Sequence, residues 1–199
     1  STTDALGNVT TYTYDALGRQ ITQTDPLGGV TQFFYDAAGR RVQTIDPLGH
    51  ATTSTYDDAG RLVTVTDHLG NATHYEYDSL GRRAAIVDSL GNRTEYTYDL
   101  LDRVVAVTDP LGNVTTTTYD ALGRTAPRTD ANGNTTTYAY DTLSRLETQT
   151  DPLGGTTGFT YDVVGNRLTV TDANGHVTVT AYDLLNRATT MTDPNGSAV

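Results

Sequence analysis

The chain has no cysteine, no tryptophan and no lysine, and only one methionine. Without cysteine, disulfides, thiolate metal sites and thiol redox chemistry are excluded, while the compartment stays open. No stretch approaches the roughly 18 apolar residues of a membrane helix, so no membrane insertion is expected. Hydrophobic residues make up 36% of the 199 positions, little for a compact globule of this length. Yet long charge runs and Gly/Ser linkers are also missing, and wholesale disorder is a poor explanation. All 13 basic residues are Arg, and the formal charge of −11 argues against a nucleic-acid partner. Nothing at the start resembles a signal peptide. The chain opens at Ser1 and both ends cut into a repeat, so a piece of a longer protein is expected.

What is present is regular. Thr supplies a fifth of the chain and Tyr most of the aromatics, with frequent Gly and Asp. That composition points to an all-β chain with many turns. The pair Tyr-Asp recurs at Tyr14-Asp15, Tyr35-Asp36, Tyr56-Asp57, Tyr77-Asp78, Tyr98-Asp99, Tyr119-Asp120, Tyr140-Asp141, Tyr161-Asp162 and Tyr182-Asp183, always 21 residues apart. A second ladder, Asp4, Asp25, Asp46 and onward to Asp193, keeps the same step, each Asp followed three residues later by Gly. Two ladders in phase over nine units establish an internal repeat. Residues 1–199 are expected to form a single array of nine 21-residue units. Of the 21 Asp residues, 19 fall at these two corners, so the acidity follows from turn chemistry.

In one unit, Asp109 to Thr129, two short β-prone runs alternate with two turn signals, the mark of hairpins in series. Twenty-one residues are too few for a βαβ crossover, so neighbouring strands must be antiparallel. Aromatics sit two apart in the first run (Tyr75 and Tyr77, Phe159 and Tyr161), as do apolar residues in the second (Val63 and Val65, Leu168 and Val170). A four-residue connection, such as Asp15 to Gly18, places both sets on one face. It sets the next residue, Arg19 in the first unit, across from its own Tyr14, a pairing suited to cation–π contact. Asn166 interrupts that Arg ladder. The Thr ladder Thr10, Thr31, Thr52 and onward is expected to form an opposite, polar face. About eighteen strands spaced ~4.8 Å apart would run on the order of 85 Å, and so long a sheet is expected to curl. Its aromatic face calls for a cover, from further repeats of this chain, identical chains or another domain.

Motifs for chemistry are scarce. Asp130-Ala-Asn-Gly-Asn134 faintly resembles a calcium loop but lacks the distal glutamate, and turn chemistry accounts for it. Six Asn-x-Thr/Ser sequons arise where a turn Asn precedes a strand Thr or Ser. His50, His68, His74 and His176 show neither metal spacing nor triad order. No cofactor, metal or catalytic residue is expected. The Tyr rows could stack sugars, although packing against Val and Leu explains the same residues.

Segments such as Tyr-Asp-Ala-Leu-Gly-Arg (14–19 and 119–124) and Thr-Asp-Pro-Leu-Gly (24–28, 108–112 and 150–154) closely resemble the YD repeats of RHS proteins. The family includes bacterial RHS and wall-associated polymorphic toxins, the shell component of insecticidal toxin complexes, and teneurins. The resemblance covers essentially the whole chain. It implies a spiralling β-sheet shell able to hold an unfolded or toxic C-terminal polypeptide, in a secreted or cell-surface protein. It also implies a non-enzyme in which Tyr14, Asp15, Gly18, Arg19 and the remaining Tyr-Asp pairs are structural repeat positions. The family's self-cleaving core and toxin tip are not visible in the sequence. The even spacing leaves open a self-assembling module of an extracellular filament, and the aromatics leave open a carbohydrate or cell-surface adhesion module.

Overall fold

The computed structural model describes residues 1–198, and among them are nineteen β-strands and no helix. The chain divides into two compact units, Ser1–Tyr96 and residues 97 onward. In the first unit, β1 (Thr2–Thr3), β2 (Val9–Tyr14), β3 (Gln20–Thr24) and β4 (Val30–Tyr35) begin a series. It continues through β5 (Arg41–Ile45), β6 (Ala51–Tyr56), β7 (Leu62–Thr66), β8 (Ala72–Tyr77), β9 (Arg83–Val87) and β10 (Arg93–Tyr98). The second unit repeats the alternation from β11 (Val104–Thr108), β12 (Val114–Tyr119), β13 (Thr125–Thr129) and β14 (Thr135–Tyr140) through β15 (Leu146–Thr150) and β16 (Thr156–Tyr161). It ends with β17 (Arg167–Thr171), β18 (Val177–Tyr182) and β19 (Ala188–Thr192). Within each unit every strand pairs antiparallel with its neighbour in sequence, as at β3–β4 and β15–β16. The all-β fold of tandem antiparallel hairpins is therefore as the repeat predicts.

Both corners use one backbone solution. At the first Tyr-Asp corner the Asp15 amide donates to the Arg19 carbonyl and the Gly18 amide to the Asp15 carbonyl. At the Asn-type corner, Asp25 pairs with Gly29 and Gly28 with Asp25 in the same way. This is a three-residue hairpin loop whose third residue takes positive φ, 77° at Gly18 and 88° at Gly28. Asp102, Ser144 and Asn186 stand where that glycine is expected, with φ of 61°, 63° and 59°.

The four-residue connection does not hold. Tyr14 pairs with Gln20, not Arg19, so five residues separate the partners. The predicted shared face is recovered by a bulge: Thr13 pairs with Thr22 and Tyr12 with Gln23, leaving one extra residue in the second strand. The same shift recurs at the Tyr-Asp hairpins of Tyr35, Tyr56, Tyr77, Tyr140, Tyr161 and Tyr182. A bulge restores the parity that the odd loop reverses. Consequently Tyr75 faces Ile86 and Phe159 faces Val170.

The Thr ladder also lies on the opposite face from the one expected. Thr73 pairs with Val65, Thr94 with Ile86 and Thr178 with Val170, so these Thr residues share the aromatic face. Strand alternation requires this, because 10, 12 and 14 have equal parity. The polar face is built from the intervening positions, where Thr13 meets Thr22 and Thr160 meets Thr169, each pair with hydroxyls 2.6 Å apart. On that face of the first unit Arg93 joins Glu76 and Glu95 at 2.6–2.9 Å.

One hairpin departs from the pattern. Pro127 occupies the place that Thr22 and Thr64 hold elsewhere, and it can donate no ladder hydrogen bond. The pairing of β12 with β13 jumps from Thr117↔Arg128 to Tyr119↔Thr125, and β13–β14 pairing stops at Arg128↔Thr136.

Candidate functional site

The repeated Tyr-Asp corner is the most elaborate side-chain arrangement in the molecule. One Asp15 carboxylate oxygen accepts the amides of Leu17 and Arg19, each at 2.9 Å, while the other accepts Arg19 Nε at 2.7 Å. Asp36 with Arg40, Asp57 with Arg61, Asp99 with Arg103, Asp120 with Arg124 and Asp141 with Arg145 reproduce it. So do Asp78 with Arg82 and Asp183 with Arg187. The turn thus fixes the Asp, and the Asp fixes the Arg.

The Arg then reaches forward. Continuing the β3–β4 register from Thr22↔Gln32 brings position 19 opposite position 35. Accordingly, the Arg19 guanidinium lies 4.8 Å from the ring centre of Tyr35, in the next repeat. Arg40 covers Tyr56, Arg61 covers Tyr77, Arg103 covers Tyr119, Arg124 covers Tyr140 and Arg145 covers Tyr161, all at 4.4–4.8 Å. The sequence placed the stack within one repeat. The bulged register moves it between repeats, because Gln20 rather than Arg19 faces Tyr14.

Each such Tyr is gripped a second time. The Tyr35 hydroxyl donates to the Gln20 carbonyl at 2.7 Å, and Tyr56, Tyr77, Tyr119, Tyr140 and Tyr161 make the equivalent bond at 2.8–3.0 Å. At Tyr182, where Asn166 replaces the preceding Arg, the bond to the Arg167 carbonyl lengthens to 3.2 Å. Arg40 and Arg145 also donate to the carbonyls of the next corner's Asp57 and Asp162, at 3.2 and 2.8 Å. Tyr14, the first of the ladder, is 57% exposed.

A second row of ring contacts was not foreseen. Arg41 lies over Phe33, Arg83 over Tyr75 and Arg167 over Phe159, at 5.5, 5.0 and 5.9 Å. The bulge turns these first residues of the second strand toward the aromatic face. Their recurrence directly after the corner Arg or Asn was the available signal.

The Asn-type corner replaces Arg by a short amide. Asn71 and Asn113 donate from Nδ2 to Asp67 and Asp109 at 2.8 Å. Asp130 commits its carboxylate in the same way to Asn132 and Asn134, as a turn requires. Both corner types hold carboxyls below the ordinary Asp value. The side chain of Arg103 acts chiefly on Asp99, the backbone amide of Arg40 on Asp36, and the side chain of Asn113 on Asp109. Charge is divided unequally, because the remaining acids are almost matched in number by the 13 Arg. Nearly the whole charge of −11 lies at the Asn-type corners.

His50 and His68 come together with ring centres 4.1 Å apart, and His50 Nδ1 lies 3.0 Å from Asp46. Among the described residues no group of His, Asp or Glu has the arrangement of a metal site. No helix is long and apolar enough to cross a membrane. The sheet is thinly covered: among the described hydrophobic residues Ala85 alone is fully buried, on the polar face between Glu76 and Glu95, and the corner residues Leu27 and Leu153 are 96% and 97% exposed.

The RHS Repeat family profile matches at residues 1–30, 16–51, 56–93, 84–114, 98–126, 119–156, 145–177 and 161–198. No curated protein matches the sequence. Among solved structures, the crystal structure of TcdB2-TccC3-Cdc42 is similar over 93% of this chain, at 19% identity and a TM-score of 0.71. The crystal structure of TcdB2-TccC3 without its hypervariable C-terminal region is similar over 92%, at 16% identity and a TM-score of 0.52. The Photorhabdus luminescens Tc holotoxin pore is similar over 92%, at 15% identity and a TM-score of 0.51. The chain spans 12–14% of the length of these solved chains. With matches tiling its two ladders from end to end, the chain belongs to the RHS-repeat family.

Proposed function

We propose that this chain is a non-catalytic wall segment: a single array of nine repeats that belongs to the shell of a secreted or cell-surface protein and encloses or presents a polypeptide. The observation that carries this reading is the clamp between repeats, in which Tyr35, Tyr56, Tyr77, Tyr119, Tyr140 and Tyr161 are each held by the Arg and by a backbone carbonyl of the repeat before. Such a clamp fixes neighbouring hairpins to one another and opens no cleft for a reaction. The Tyr-Asp-x-x-Gly-Arg residues are occupied in this scaffold, which supports a structural role for them. The fold shared with TcdB2-TccC3-Cdc42 supports the shell, and the joining of TcdB2, TccC3 and Cdc42 in that structure supports a polypeptide partner.

A second reading, self-association into a filament, is favoured by the leucines standing out from the corners, such as Leu6, Leu27 and Leu111. Size-exclusion chromatography with light scattering, followed by electron microscopy of the purified chain, separates the two. Discrete particles of defined mass are expected. Concentration-dependent fibres would replace the shell reading with the filament, and turnover of hydrolase substrates would overturn the non-catalytic role.

A further inference from the structure

Two charges on the aromatic face of the second unit are left unanswered by the chain. At the mid-strand position that Val65, Ile86 and Val170 hold elsewhere, β13 carries Arg128. At the position that Val63, Val105 and Leu168 hold, β15 carries Glu147. Arg128 pairs with Thr117 on one side and Thr136 on the other, so it sits on the aromatic face. The β15–β16 register, continued from Gln149↔Thr157, brings Glu147 opposite Phe159 on that same face. With Thr117 where other repeats have a ring such as Tyr75, a hollow of about 430 Å3 opens beside Arg128, bounded also by Tyr138 and Thr115.

Every other arginine and glutamate is occupied. Eight arginines are tied to corner carboxylates, and Arg41, Arg83 and Arg167 lie over rings. Arg93 holds Glu76 and Glu95, the other two of the three glutamates. Arg128 and Glu147 are exposed, and neither has an ionic, ring or hydrogen-bond partner among the described residues. Nor do they meet each other. Arg128 is level with Thr136, and Glu147 with Ala139 and Tyr140, on the strands either side of β14. That sets them on the order of 15 Å apart. Midway between them, on β14, stands Tyr138, half-buried, its hydroxyl without a protein partner among the described residues.

We propose that this face docks on the same face of a second copy of the chain, Arg128 of each copy pairing with Glu147 of the other. A two-fold axis lying between the facing sheets, crossing over Tyr138 at right angles to the Arg128–Glu147 line, exchanges the two positions. Both ion pairs then form together, as an isologous contact requires. The strands of the two copies cross at roughly 75°, near the orthogonal class of sheet packing. Arg and Glu side chains span the ~10 Å between packed sheets, and the guanidinium fork matches a carboxylate in two hydrogen bonds. The charge of −11 does not oppose the contact, because nearly all of it stands at the Asn-type corners, off this face. Two strips ~20 Å wide overlap over on the order of 400 Å2 a side, half the ~800 Å2 of a standard complex, so the dimer is weak and reversible. This contact is independent of the shell reading, which rests on the clamp, and unlike one through the corner leucines it closes at two chains.

The test is sedimentation velocity of the 199-residue chain across a concentration series, with NMR of the tyrosine rings. A reversible dimer with a Kd on the order of 100 µM is expected, weakened by added salt. Ring signals of Tyr138 should shift with concentration, and those of Tyr75, in the first unit, should not. Arg128→Glu and Glu147→Arg should each raise the Kd about tenfold or more, because like charges then face each other. Both positions are exposed, so the melting curves should stay intact. The double variant should recover the dimer, since each charge again meets its opposite. A chain that stays monomeric at every concentration would overturn the assignment and leave the face to a different polypeptide. Single variants that dimerise like the parent chain, or a double variant that stays monomeric, would overturn it equally. So would growth beyond two chains, which would return the contact to the corner leucines.

Discussion

Arg103 holds its guanidinium 4.4 Å from the ring centre of Tyr119, a residue of the following repeat. The contact ties two hairpins whose covalent connection runs through an Asn-type corner. Tyr119→Phe keeps the ring and removes the 2.9 Å bond to the Val104 carbonyl, so a loss of about 1 kcal/mol is expected in urea unfolding. A double-mutant cycle of Arg103→Ala with Tyr119→Leu should give a coupling of about 0.5–1 kcal/mol. Additive single effects would show that the stack contributes nothing.

Acid should loosen the array. The corner carboxyls of Asp36, Asp99 and Asp109 titrate below their unfolded value in the folded chain, so unfolding takes up protons. Their contribution is fully present above the unfolded Asp pKa of about 3.9 and is lost as pH falls through the lower folded values. Melting followed by circular dichroism should be nearly level from about pH 7 to 5 and decline below about pH 4. Asp109→Asn should flatten part of that decline, and a melting temperature unaffected by acid would contradict the role of the corner Asp.

Ser144 occupies the left-handed position that glycine holds in most corners, with φ of 63°. Ser144→Gly removes a steric cost of about 1–2 kcal/mol at the loss of some unfolded-state restriction and of a long 3.4 Å bond from Arg124. A net gain of about 0.5–1 kcal/mol is expected. Gly123→Ala, at φ of 81°, should lose a comparable amount. Paired denaturation curves check both signs.

Pro127 interrupts the ladder of β13 on both sides. Pro127→Thr restores a donor, and a gain of about 1 kcal/mol is expected. Amide exchange at Thr118 and Thr137 should slow toward that of the equivalent Thr13 and Gln32. Unchanged exchange would mean that the interruption has another cause.

The architecture was legible because its signals are local: Tyr-Asp, Asp-x-x-Gly and alternation by twos each specify backbone within a few residues. The parity of Thr10 with Tyr12 and Tyr14 was equally available, and it places the Thr ladder on the aromatic face. What could not be read was the bulge after Gln20. A single inserted residue leaves no mark in composition or spacing, yet it decides whether Arg19 meets Tyr14 or Tyr35. The sequence therefore marks the Arg–Tyr stack by its chemistry but places it within one repeat rather than between two. Arg128 was hidden differently, since one substitution inside a strand stands out only once its register partners Thr117 and Thr136 are known.

The pairing of each strand with its neighbour in sequence has a mechanical consequence. No contact within a unit waits on the arrival of a distant segment, so loops closed during folding are short and assembly is fast. The same wiring lets a terminal hairpin leave without disturbing the others. Pulled from one end, such a chain should unravel in successive events, each releasing one 21-residue repeat, or roughly 70 Å of extended polypeptide. A chain of this kind can be drawn through a narrow opening hairpin by hairpin and re-form on the far side in the order in which it emerges.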